Sequence, residues 1–201
     1  MRTRPPPQRE LPLPILRKVL RRVLENLRRS IYFLQACNGI IRGNPTYTGP
    51  QIFPLAKDAL YAQSIQRAAK AFDHHPRAAS FFMLQEQRPD VILDVAAKRQ
   101  FDLAVLEAFA GKLRQIRNRT LAHDDIDDLV RDTDVWKEQD LLGGELSACT
   151  EFAFAALNEM LRLECGESVE LLAYTGRDAE ELARLATSMD LPSKWADQLL
   201  G

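Results

Sequence analysis

Arg117, Asn118 and His123 are the residues whose types and spacing best suit chemistry. They fall in Gln115–Asp125, reading Gln-Ile-Arg-Asn-Arg-Thr-Leu-Ala-His-Asp-Asp, where a strongly apolar helical pattern turns polar. An arginine presents a planar fork of donors that grips a phosphate. A histidine titrates near neutrality, so it can take or give a proton. Together they are two parts of an RNA-cleaving site. His123 would take the ribose 2′-OH proton or protonate the leaving 5′-oxygen, while Arg117 would hold the phosphate. Asn118 would fix the histidine tautomer or bind a phosphate oxygen, unless it is a plain polar surface position. Asp125 would orient His123 from behind or cap the turn that follows. Arg114 and Arg119 add charge to the same stretch, either as phosphate guides or, for Arg119, as a catalytic group.

The elements that must position these groups are helical. Ile15, Leu16, Val19, Leu20, Val23, Leu24, Leu27, Ile31 and Leu34 recur at three- and four-residue steps, which predicts a long first helix with one buried face. Arg17, Lys18, Arg21, Arg22, Arg28 and Arg29 take its other side, and Gly39, Gly43, Asn44 and Pro45 are expected to end it. Further helices are expected over 53–72, 77–87, 89–99, 102–119 and 145–164. In the fifth, the steps 103, 106, 110, 113, 117 put Arg117 where the seam predicts an apolar residue. A guanidinium there implies a cavity or interface waiting for a phosphate, or a frayed end where the arginine snorkels to water. A straight helix sets residues 117 and 123 about 120° apart and about 9 Å along the axis. The two therefore converge only if the chain turns His123 back, or if a second protomer closes the site.

After Gly166 short pieces follow, with Asp178 and Glu181 spaced as a capping box and a last short helix around Trp195. Useful β-alternation is absent. The expectation is an all-α protein: a bundle of five to six helices over 15–166, a basic proline-rich lead over 1–14 expected to be disordered, and a short C-terminal helical extension over 167–201.

Composition narrows the function. In 201 residues, 46% are hydrophobic and 27% charged, ordinary for a globular protein. No apolar run reaches the ~18 residues of a membrane span, and Met1–Pro14, with five prolines, lacks the apolar core of a secretory leader. A cytoplasmic protein with no membrane partner is expected. Residues 1–50 hold ten Arg or Lys against Glu10 and Glu25, an excess of eight, which leaves −9 for the remainder of a chain whose net charge is −1. That asymmetry is either a footprint for nucleic acid or a solvated face balanced by acidic neighbours. Cys37, Cys149 and Cys165 are widely spaced and read as buried free thiols. His74 and His75 read as a polar loop closing a helix, not a metal site. Asp124, Asp125, Asp127, Asp128, Asp132 and Asp134 lack the glycine and terminal glutamate of a calcium loop, and Gly143-Gly144 lacks the lysine of a phosphate loop. No metal and no cofactor is expected.

Arg117-Asn118 running into Ala122-His123, with Asp125 two places on, resembles the signature of the HEPN superfamily of helical ribonucleases, most closely its abortive-infection branch. The match is specific over Arg114–Asp125, and the order of helices extends it diffusely over about residues 15–165. The resemblance implies a metal-independent endoribonuclease with a toxin-like role in phage defence or a toxin–antitoxin pair. It also implies a homodimer whose two motifs form one cleft, RNA as substrate and an antitoxin protein as a possible partner. Some members of the superfamily are catalytically silent, so the alternative is a helical dimer that binds a partner protein or a nucleotide.

Overall fold

In the computed structural model, residues 10–44, 46, 52–75, 77–118 and 139–188 are described. The acidic stretch after Asn118, the lead up to Arg9 and the short helix expected around Trp195 lie outside them. Every regular element among the described residues is α-helical, so the protein is all-α. These elements are α1 (Leu13–Gly43), α2 (Ile52–Ala71), α3 (Phe81–Gln87), α4 (Pro89–Arg99), α5 (Leu103–Ile116), α6 (Gly143–Cys165) and α7 (Arg177–Ser188). None of the described helices is long and apolar enough to cross a membrane.

By contact the chain forms two compact units, one of Met1–Ile31 with Ile65–Leu171, the other of Tyr32–Ser64 with Leu172–Gly201. Among the described residues, contact groups 172–188 with 32–44 and 52–64.

The first unit is built around α6, against which α3, α4 and α5 pack. Local signals set its helix ends. Ser80 Oγ accepts the Met83 N–H at 3.4 Å, so α3 starts at Phe81 and not at the expected Arg77. Pro89 opens α4, where its missing N–H costs nothing. The Asp102 carboxylate accepts the Ala104 N–H at 2.9 Å and caps α5. At the far end of α6, Gly166 takes a left-handed φ of 66°.

Leu20, Val23, Leu24 and Leu27 of α1 are fully buried, as their spacing predicts. The centre holds aromatic rings. Phe72 meets Phe109 edge-on at 5.2 Å and Phe81 at 5.7 Å, while Phe101 stacks on Phe152 at 4.1 Å.

The second unit turns on glycine. α1 ends at Gly43, within the stretch expected to end it, and Gly39 and Gly43 lie against Gly176 and the first half of α7. A Cβ at Gly39 would overlap the Gly176 carbonyl oxygen, and one at Gly43 would overlap that of Glu180. Backbones approach this closely only where no side chain intervenes. Ile40, Phe53 and Ala183 form the core beside this contact, with Ala56, Leu60, Ala179 and Ala186 around them. Arg42 ties the arrangement from outside, donating to Glu180 at 3.0 Å and to the Thr175 carbonyl at 2.8 Å. Asp178 lies inside the first turn of α7, where its carboxylate takes the Ala179 N–H and the Tyr174 O–H, so the expected capping box is displaced.

Candidate functional site

The polar end of α5 is positioned by its buried stripe. Leu106, Phe109, Ala110, Leu113 and Ile116 face the core. Three and four residues beyond Leu113 lie Ile116 and Arg117, and it is Ile116 that fills the core position. Arg117 therefore sits at the edge of the stripe, half-buried, and not in its centre as the 103–117 spacing suggests. The regular helix closes at Ile116, before the expected Arg119, and the chain widens into a π turn at Arg117 and Asn118. Such turns are rare overall and frequent at functional sites.

Arg117 has a partner that sequence reasoning missed. Its Nη1 donates to Asp73 Oδ2 at 2.9 Å, and its Nε donates to Asn118 Oδ1 at 3.3 Å. The side chains of Arg117 and Asp73 are 33% and 27% exposed, so the pair lies partly sheltered at the end of α2. Partial burial pushes the Asp73 carboxyl up, but the His75 N–H at 3.0 Å and the Arg117 guanidinium outweigh it and hold it below its ordinary range. Nothing local in the sequence marks this contact, because 44 positions separate the two residues.

His74 lies at the same end. Its ring stacks on Phe82 with centroids 3.9 Å apart, and its Nε2 stands 3.4 Å from Glu107 Oε2. His75 is committed differently: its Nδ1 accepts the Arg77 N–H at 3.2 Å. The adjacent histidines thus turn to separate partners. Among the described residues no group of three or more His, Cys, Asp or Glu could hold a metal ion.

Arg114 is exposed and makes no ion pair among the described residues. With Arg117, Asp73 and His74 it borders a notch of about 10 Å³, room for no more than one water. The described residues thus assemble Arg114, Arg117 and Asn118, and add Asp73 and His74 beside them. Arg119, His123 and Asp125 lie outside the described residues. What is assembled can bind an anion through guanidinium donors; the imidazole beside them, His74, is engaged with Phe82 and Glu107.

The thiols do not join this site. Cys37 and Cys149 are buried, as expected, while Cys165 is partly exposed, and none is in a disulfide. Burial among apolar neighbours, with Glu145 nearby, pushes the Cys149 thiol up to about 12. No family model matches this chain, and neither a curated protein nor a solved structure is detectably similar to it.

Proposed function

We propose that the protein is a metal-independent endoribonuclease of HEPN type that acts as a homodimer on RNA. The observation that carries this reading is the Arg117 guanidinium, held half-buried by Asp73 and Asn118 at the polar end of α5, six residues before His123. Asp73 fixes one edge of the guanidinium, so less side-chain entropy is lost when a phosphate arrives. In the proposed mechanism His123 takes the 2′-OH proton, and the oxygen attacks the adjacent phosphorus. Arg117 stabilises the added negative charge on the phosphorane-like transition state. The 5′-oxygen leaves with a proton, giving a 2′,3′-cyclic phosphate.

The resemblance to the abortive-infection branch supports a cytoplasmic, toxin-like role with an antitoxin protein as counterpart. It also supports the placing of Arg114, Arg119 and Asp125 as supporting residues. Because residues 117 and 123 diverge on a straight helix, the reading places the two polar ends at a two-fold interface, where both protomers build one cleft.

The test is cleavage of RNA by purified protein in excess EDTA. Cyclic-phosphate products that vanish in His123→Ala are expected. A requirement for a divalent ion, or undiminished cleavage by His123→Ala, would overturn the mechanism.

One observation favours a second reading. Arg117 already has a carboxylate partner, so the pair also suits a structural tie, with the protein a non-catalytic helical dimer that binds a partner protein or nucleotide. Expression of wild type and His123→Ala separates the two. Toxicity lost with the point change supports the enzyme, and equal harmless expression supports the module.

A further inference from the structure

We propose that the exposed face of the first half of α1 is the docking surface for the phosphate backbone of single-stranded RNA. This inference rests on the RNA-directed reading above. Six cations stand on this face within thirteen positions: Arg17, Lys18, Arg21, Arg22, Arg28 and Arg29. Only two carboxylates answer them among the described residues. Glu167 holds both Arg17 and Arg21, the latter at 2.6 Å. Glu25 holds both Arg28, at 2.5 Å, and Arg29, at 2.7 Å. Lys18 and Arg22, one turn apart, make no ion pair among the described residues.

Six positive charges against two negative leave four uncompensated over about 18 Å of helix. Like charges held at this spacing repel, and a chain of phosphates relieves that repulsion.

The relief of the surface fits a strand. A groove of about 520 Å³ runs between Lys18, Arg21 and Arg22, with Val19 and Ala79 as its apolar lining. A second depression of about 240 Å³ adjoins it, sharing Arg21 and Glu25 and reaching Arg28 and Glu167. Arginine forks line both, as phosphate recognition favours.

An anionic membrane shares this chemistry but needs an apolar helix face beside the cations. Here Leu20, Val23, Leu24 and Leu27 are spent in the core, and the exposed apolar residues Leu13 and Ile15 are confined to the first turn of α1, ahead of the cations. The polyanion that needs charge alone is the better fit.

The surface is tested by binding of a labelled single-stranded RNA to Lys18→Gln/Arg22→Gln, both partners being placed on a His123→Ala background so that nothing is cut. Four neutralised phosphates predict a slope of log K against log salt of about −3 for the parent. Removing two cations should bring the slope down by about 1.4 and weaken binding on the order of tenfold at low salt. Both side chains are exposed, so the melting temperature should not move. Equal affinity and equal slope for the two proteins would overturn the proposal, as would tighter binding to phosphatidylserine vesicles than to RNA.

Cleavage of a dinucleotide, whose single phosphate is the one being cut, keeps the two proposals apart. The double glutamine variant with His123 intact should cut it as well as wild type. If wild type cuts no RNA at all, the catalytic reading falls while the binding data still decide the surface.

Discussion

Substituting alanine for Gly39 should destabilise the protein, although alanine in a helix interior ordinarily gains about 1 kcal/mol over glycine. The added Cβ would lie 3.1 Å from the Ala179 Cβ and from the Gly176 carbonyl carbon, and it would overlap the Gly176 oxygen. Carbon pairs rest at about 3.5–4.0 Å. The overlap with that oxygen is the deepest, so the chain leading into α7 must retreat by about 1 Å, and the obstacle is backbone, which cannot rotate aside. Overfilling of this kind costs up to about 3 kcal/mol. Set against the propensity gain, the net loss is about 2 kcal/mol, equivalent to about 4–8 °C in Tm for a chain this long. Gly111, in the middle of α5 with nothing within 4 Å of its Cβ position, is the control. Gly111→Ala should gain about 1 kcal/mol. Both variants are read by urea and thermal unfolding. Hydrogen exchange adds a local signature, because protection should fall over 32–43 and 177–188 and hold over 143–165. A Gly39→Ala protein as stable as wild type would refute the close approach of these backbones.

Phe109→Ala should cost about 3–5 kcal/mol in chemical denaturation, because the ring is fully buried and meets Phe72 edge-on. The Asp73 carboxyl is held below its ordinary value of 3.8 in the folded state, so its pairing stabilises the fold above that pH and the contribution disappears as pH falls through the lower folded value. Wild type should therefore exceed Asp73→Asn in stability near neutrality, and the gap should close below about pH 4; a gap constant with pH would contradict the pairing. An NMR titration should place the Asp90 carboxyl at about 2, because the Arg88 guanidinium donates to it at 2.8 and 3.0 Å, and Arg88→Gln should return it towards 3.8. At pH 8, iodoacetamide should modify partly exposed Cys165 first and reach buried Cys37 and Cys149 only on unfolding, as mass spectrometry of timed samples would show.

The helices were legible from the sequence because each carries its own evidence. The three-and-four spacing of Leu16, Leu20, Val23, Leu24 and Leu27 is a local property, set by 3.6 residues per turn and by the preference of apolar groups for burial. Asp102 and Pro89 mark helix starts by chemistry that acts within one turn. The positive excess of the α1 face was half legible, since ten cations against two carboxylates in the first fifty residues can be counted. How four of its arginines share just Glu25 and Glu167 could not be.

What the tertiary structure decided are the contacts between residues far apart in the chain. Gly39 and Gly43 read as a helix end, because glycine is the local helix breaker, and α1 does end at Gly43; only the presence of Gly176 and Glu180 against them shows that a bare backbone was also needed. Arg117 looked like a charge with no partner on an apolar seam. Folding instead sets Ile116 on the core and brings Asp73 to the guanidinium. Propensity and periodicity act over a few residues and are written in neighbours. An ion pair across 44 positions, or two backbones in contact across 137, exists only once the chain has closed on itself.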